Sequence, residues 1–182
     1  MSAAPGVDIR EVGPRDGLQI EEPLSTEAKL EFVDALVATG VRRIEVTSFV
    51  SPRAVPALAD AEAVAAQLTR WPDVEFSALV AGMGGVRRAL ASGVTRLEYV
   101  VSASDGHSQA NVGRSSEDSL ALIAPIADLV HEAGGHLEVI VAIAFDCPFD
   151  GPTPVKAVPA SRAISATLAH CSSRVRRRFL RV

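Results

Sequence analysis

Along this chain, short apolar or alternating runs are separated by segments with helical spacing. Val7 to Val12 alternates apolar and polar residues and breaks at Gly13-Pro14, which predicts a short strand ending in a loop. Ser25-Thr26-Glu27 then supplies a cap and a first-turn acid. Leu30, Val33 and Val37 recur on one helical face, Phe32 and Leu36 widen it, and Gly40 ends the helix. The unit repeats. Val41 to Thr47 reads as a second strand, followed by a loop around Ser51-Pro52 and an Ala-rich helix from Leu58 to Leu68. A third strand spans Val74 to Val80, a short helix runs from Gly84 to Ala91, and a fourth strand covers Val94 to Val101. Ser115-Ser116-Glu117-Asp118 caps a long helix through His131, and Gly134-Gly135 leads into a fifth, almost wholly apolar strand, Leu137 to Phe145.

Apolar strands joined by helical crossovers imply an α/β protein with a parallel sheet buried on both faces. Spacing alone fits an open doubly wound sheet or an eight-stranded barrel equally. The loops favour the barrel. No Gly-x-Gly-x-x-Gly follows the first strand, and polar residues gather after the carboxyl ends of the strands, where a barrel builds its active site. The expected fold is therefore a partial TIM (β/α)8 barrel of about five βα units.

Charge divides the 182 residues unevenly. Through Asp150 there are 22 acidic and 11 basic residues; beyond it there are 7 basic and no acidic ones. This predicts an incomplete barrel domain over 1–155 and a basic, atypical segment over 156–182. No apolar run approaches the roughly 20 residues that span a bilayer, and the first residues lack a charged and apolar leader pattern. The two cysteines, Cys147 and Cys171, have no metal-ligand spacing. A cytoplasmic protein without membrane or specific nucleic-acid partners is expected.

The chemistry concentrates in loops. Between Gly13 and Gly17, Arg15 and Asp16 hold a cation and a carboxylate at the end of the first strand. Glu45, read as the end of the second strand, is expected to turn its carboxylate toward the barrel mouth, where it also suits an arginine. Thr47 and Ser48 follow it as hydrogen-bonding hydroxyls. His107 reads as an exposed loop histidine, and Cys147 as a packed thiol that shapes a pocket.

Three runs carry a resemblance: Glu11-Val-Gly-Pro-Arg-Asp-Gly-Leu-Gln19, Ile44-Glu45-Val-Thr-Ser-Phe-Val-Ser-Pro52 and Cys147-Pro-Phe-Asp-Gly151. In order and spacing they resemble the hydroxymethylglutaryl-CoA lyases, over roughly residues 7 to 155. The resemblance implies cleavage of 3-hydroxy-3-methylglutaryl-CoA into acetyl-CoA and acetoacetate, a step of leucine-degradation or ketone-body type. It implies Mg²⁺ or Mn²⁺, since hard oxygen ligands suit those ions. Asp16 becomes the metal carboxylate, Arg15 the cation that stabilises the developing enolate, and Glu45 a catalytic support for Arg15. Gln19, Ser48 and Ser104 become substrate contacts, Asn111 matches a family asparagine, and an acyl-CoA is the implied partner, with a homodimer or self-association possible. Arg-Asp-Gly is also similar to homocitrate and isopropylmalate synthases, and a non-catalytic half-barrel remnant is a further reading.

The family's later signatures, an Asp-Thr pair, a His-x-His metal pair and a glycine-rich loop with a cysteine, do not occur in this sequence; His170-Cys171-Ser172 is not His-x-His. With the remaining metal ligands missing, little or no lyase activity is expected of these 182 residues alone. At the acidic density of the first 150 residues, the last 32 should hold between four and five acids, and they hold none. The expectation is a segment foreign to the ancestral frame, for example through out-of-frame translation past about residue 155. Reading the encoding DNA in its other two frames should recover Asp-Thr and His-x-His there, and their absence from both frames contradicts the idea.

Overall fold

A computed structural model describes residues 7–154, which form two compact units, 7–98 and 99–154. The segment 156–182, and with it the predicted domain boundary, lies outside the described residues.

The first unit contains β1 (Arg10–Glu11), α1 (Thr26–Ala38), β2 (Arg43–Phe49), α2 (Ala61–Ala65), β3 (Glu75–Val80), α3 (Met83–Ala91) and the start of β4 (Arg96–Ser102). Its strand order is β1-β2-β3-β4, and β1 with β2 and β2 with β3 pair in parallel. β1 is far shorter than the predicted run. The α1 cap forms as predicted, with Ala28 N donating to Ser25 Oγ at 3.2 Å.

The Ala-rich stretch departs from its predicted helix. Only Ala61–Ala65 is α-helical, between tight turns at Pro56–Leu58 and Leu68–Arg70. Lys29 of α1 explains the break, because its buried ammonium donates to the Ala57 carbonyl at 2.6 Å and to Asp60. Thr26 Oγ1 also donates to Asp60, at 2.7 Å, so its carboxylate is committed to α1 instead of capping α2. Satisfying a buried cation outweighs the few tenths of a kcal/mol per residue that helix propensity supplies.

The two faces of the first sheet differ in chemistry. Ile44 and Val46 pack with Leu30, Val33, Val64 and Trp71, and Phe76 lies against them. Parallel register puts Arg43 beside Glu75 and Glu45 beside Ser77, and paired residues share a face. Arg43 donates to Glu75 at 2.9 Å and to Asp8 at 2.7 Å, and Arg96 pairs with the same Glu75 at 2.8 Å. Both faces of β2 are buried, as expected, but they differ in kind: one packs on helices, and the other carries an ion-paired ladder.

The second unit holds the rest of β4, α4 (Asp105–Val112), α5 (Ser116–Ala121), α6 (Ile123–Glu132), β5 (His136–Ala142), and a small antiparallel pair, β6 (Asp146–Cys147) with β7 (Gly151–Pro152). α6 packs on β5, burying Ile126, Ala127 and Val130 near Leu137. The predicted long helix is two, joined at Leu122. Pro125 is the cause, since it has no N–H for the residue 121 carbonyl and its ring crowds that oxygen. The predicted fifth strand also ends early, at Ala142, and Phe145 is 90% exposed.

α3 leans on β2 through Gly85, where an added Cβ would meet the Phe49 carbonyl oxygen at 2.3 Å. Glycine to alanine inside a helix normally stabilises by about 1 kcal/mol. Here the clash is with backbone, so Gly85→Ala should instead destabilise by roughly 1–3 kcal/mol. A lowered urea midpoint checks this, and a raised one contradicts the contact.

Candidate active site

β1 runs directly into one π-helical turn, Gly13–Gly17. The Val12 carbonyl accepts from Arg15 N at 3.1 Å and Asp16 N at 2.7 Å, and buried Pro14 starts the turn. Gly13 N donates to Glu11 Oε1 at 2.6 Å, and a Cβ there would lie 2.9 Å from that oxygen and 3.3 Å from the Phe32 ring. Glycine is thus the easiest fit where the turn meets α1, since a Cβ would displace the end of Glu11 and crowd Phe32, and the turn presents Arg15 and Asp16 side by side.

Arg15 turns inward and Asp16 outward, with side chains 14% and 63% exposed. The guanidinium grips Glu45 with two nitrogens: Nε donates to Oε1, and Nη2 to Oε2 at 3.2 Å. Nη1 donates to Asp16 Oδ1 at 2.6 Å. A planar fork bound at two oxygens is fixed in direction as well as in position. Glu45 is buried in the middle of β2, which continues to Phe49, so the expectation that it ends the strand is corrected. Its carboxylate is taken by Arg15.

Behind this pair, on the same face, stands a second one. Ser77 Oγ donates to Glu98 Oε1 at 2.6 Å, and Arg10 Nη1 pairs with that oxygen at 2.8 Å. Glu98 is as buried as Glu45. Burial raises the Glu45 carboxyl above the usual carboxylate range, and the neighbouring Glu98 adds to the rise against the pull of Arg15. Burial would lower the Arg15 guanidinium, but its bond to Glu45 and the surrounding carboxylates outweigh that and raise it further, so it stays charged.

Beyond Glu45 the β2–β3 register slips: Glu45 faces Ser77, Thr47 faces Ala78 and Ser48 faces Leu79, leaving Val46 as a bulge. The slip moves Ser48 onto the Glu45 face. Ser48 Oγ and Thr47 Oγ1 are buried without a hydrogen-bond partner among the described residues. Gln19 sits exposed on a tight turn, Leu18–Ile20.

The second unit holds the other predicted residues. Ser104 Oγ donates to Asp150 Oδ2 at 2.5 Å and lies 2.9 Å from Cys147 Sγ, and Asp150 also accepts from Gly106 N at 2.8 Å, tying the hairpin to the start of α4. Burial pushes the Cys147 thiol up, but the Ser104 hydroxyl and the amides of Phe149 and Asp150 outweigh it and leave the thiol below its ordinary value. The packed-thiol reading fits this burial. His107 is corrected from an exposed loop residue to a partly buried member of α4, with Nδ1 2.8 Å from Ser102 Oγ. The helix was signalled by Asp105 in its first turn and by Gly113, left-handed at φ +67°, after its end. Asn111 is exposed on α4.

For a divalent metal, Asp16 offers one exposed carboxylate that also binds Arg15, and among the described residues no three His, Cys, Asp or Glu side chains gather to hold an ion. Asp16 would give one oxygen ligand of a six-coordinate hard cation, and the described residues gather no further side chains to complete its protein ligands.

The model of the HMGL-like family matches residues 6–165. The chain belongs to the HMGL-like family. It is 36% identical over 153 residues to a hydroxymethylglutaryl-CoA lyase of Bacillus subtilis, which covers 84% of this chain and 51% of the relative. It is 38% identical over 146 residues to the 3-hydroxy-3-isohexenylglutaryl-CoA/hydroxymethylglutaryl-CoA lyase of Pseudomonas aeruginosa, covering 80% and 49%. A solved HMG-CoA lyase of Acinetobacter baumannii, in complex with coenzyme A and 3-methylmalate, superposes with a TM-score of 0.81 at 34% identity, over 88% of this chain and 52% of that one. The chain spans about half the length of the curated relatives it matches. Its fold is the amino-terminal part of the (β/α)8 barrel of a lyase family, with five parallel strands.

Within this HMGL-like domain, Arg15, Asp16 and Glu45 come together as one cluster. Arg10 and Glu98 were not anticipated, although Glu98, a charge inside an otherwise apolar strand, is a signal in the sequence.

The raised Glu45 carboxyl gives a pH signature. Below about pH 4 it is protonated both folded and unfolded and has no effect. As pH rises, the unfolded carboxyl ionises first, so Glu45's contribution to stability falls until pH passes the folded value. Each unit of upward shift corresponds to about 1.4 kcal/mol. Denaturation of the wild type and Glu45→Gln from pH 4 to 8 should show the wild type losing stability relative to the variant; a relative gain contradicts the assignment.

Proposed function

We propose that this chain carries the Arg15–Glu45 part of a hydroxymethylglutaryl-CoA lyase active site, acting on 3-hydroxy-3-methylglutaryl-CoA to give acetyl-CoA and acetoacetate. The observation behind the reading is the inward, two-point clamp of Arg15 on Glu45 at the carboxyl end of β1. The lyase names of the relatives, and the coenzyme A held by the solved A. baumannii protein, support it over a synthase.

In this cleavage a base takes the tertiary hydroxyl proton, the oxygen becomes the ketone of acetoacetate as the adjacent carbon–carbon bond breaks, and that bond's electron pair moves onto the thioester as an enolate, which takes up a proton to give acetyl-CoA. Arg15 is the cation beside that forming oxygen. Because Glu45 already fixes the guanidinium, little reorganisation is left for the moment of reaction, and the loss of one such contact costs on the order of 10² to 10³ in rate. Glu45 itself orients Arg15. The buried Ser48 hydroxyl, now on the Glu45 face, donates to substrate, and Gln19 and Ser104 are further substrate contacts. In the family Mg²⁺ or Mn²⁺ would supply a Lewis acid through Asp16; the described residues do not complete that site, and no step is routed through it. The domain reading stays 1–155 for the barrel part and 156–182 for the basic segment. Among the described residues no helix is long and apolar enough to cross a membrane, and relatives in rat and human are named cytoplasmic, which supports that compartment.

Isothermal titration of the purified chain with 3-hydroxy-3-methylglutaryl-CoA and Mg²⁺ tests the site. Saturable heat should appear and weaken about ten- to a hundred-fold in Arg15→Met, the loss expected for a charged hydrogen bond. Acetoacetate release should stay near background. No heat identifies a non-catalytic remnant, and robust acetoacetate release contradicts the expected weak activity.

A further inference from the structure

Two carboxylates compete for one guanidinium on the inner face of the first unit. Glu45 and Glu98 are both about 2% exposed, on strands either side of β3, with Ser77 between them. Both are close enough to Arg15 for their charges to act on it, and Glu98 is the weaker influence. Buried carboxylates do not stay unpaired. Glu98 has its own cation: Arg10 binds Oε1 at 2.8 Å, while Ser77 donates to the same oxygen. Arg10 reaches it because register places its side chain on the Arg43–Glu45 face.

We propose that Arg10 and Glu98 are positioning residues: by satisfying Glu98, Arg10 leaves Glu45 as the inner carboxylate that holds Arg15, and so sets the direction of the Arg15 guanidinium toward Asp16. Without the Arg10 charge, Glu98 turns to the nearest remaining guanidinium and draws Arg15 from Glu45, shifting the cation away from the mouth of the site. Removing Glu98 as well takes away the competitor and returns Arg15 to Glu45. The direct readout is the Arg15 Nε–H group, which points at Glu45 in the native arrangement. The proposal rests on Arg15 as the working cation of the lyase site for its meaning. Its test reads only where Arg15 points, so a chain that binds no substrate leaves the result intact.

The experiment is NMR of the isotope-labelled 182-residue chain, following the chemical shift and solvent exchange of Arg15 Nε–H. In Arg10→Met the resonance should move and exchange about tenfold faster, as expected when a buried hydrogen bond becomes locally labile. Arg10→Lys should keep it. The Arg10→Met/Glu98→Gln double variant should restore native shift and slow exchange, and Glu98→Gln alone should leave both unchanged. A role in filling space predicts the opposite for the double variant, which would be at least as disturbed as Arg10→Met. An unchanged signal in Arg10→Met, a double variant that fails to restore it, or loss of the signal in Glu98→Gln overturns the proposal. Should Arg10→Met not fold, the double variant has no unpaired buried charge left and must fold with the native Arg15 signal; its failure to do so equally overturns it.

Discussion

The clamp between Arg15 and Glu45 constrains much of the first unit. A guanidinium that is 14% exposed needs a carboxylate within reach, and a carboxylate in the middle of a buried strand needs a cation. Both needs are met only if the π turn after β1 delivers Arg15 to the inner face of β2. That favours glycine at Gly13, where a Cβ would crowd the end of Glu11 and the Phe32 ring, and it goes with the register that sets Glu45 beside Ser77. The bulge at Val46 follows at once and redirects Ser48 to the same face. Local turn chemistry, strand register and the geometry of the candidate site are therefore one constraint expressed at three levels.

The sheet is asymmetric in the way such a site requires. Its outer face is an ordinary apolar contact with α1 and α2, supplying the non-directional part of the stability. Its inner face replaces packing with paired charges: Arg43 with Asp8 and Glu75, Arg96 with Glu75, Arg10 with Glu98, and Arg15 with Glu45. Such pairs contribute little net stability by themselves, because desolvation offsets attraction. Their effect is directional, and direction is what a cation facing a developing enolate needs. Unit two repeats the idea on a smaller scale, where Asp150 and Ser104 bind the hairpin to the first turn of α4 around the Cys147 thiol.

Strand order was legible in the sequence because the strand runs are apolar or alternating and bounded by Gly or Pro, whereas α4 was not, since Asp105–Val112 buries only Ser108 and shows no apolar stripe. Arg15, Asp16 and Glu45 stood out because the first two follow a strand end, the third is a charge inside an apolar strand, and both runs resemble a family pattern. What the sequence hid depended on partners distant along the chain. The Ala-rich helix gave way to a buried Lys29, which spacing cannot foresee. The split between α5 and α6 was visible in Pro125 and was overlooked beneath a strong amphipathic pattern. Arg10 is one polar position of an alternating run and Glu98 an isolated charge in an apolar one, and their meaning appears only when β1 and β4 present them to one another.

The central claim is that Arg15 and Glu45 act as one energetic unit in this chain. A double-mutant cycle of Arg15→Met and Glu45→Gln, read by chemical denaturation at neutral pH, tests it directly. The account predicts a coupling of about 1.5–3 kcal/mol, in the upper part of the range seen for residues in contact. A coupling below about 0.5 kcal/mol, the level of independent sites, contradicts it.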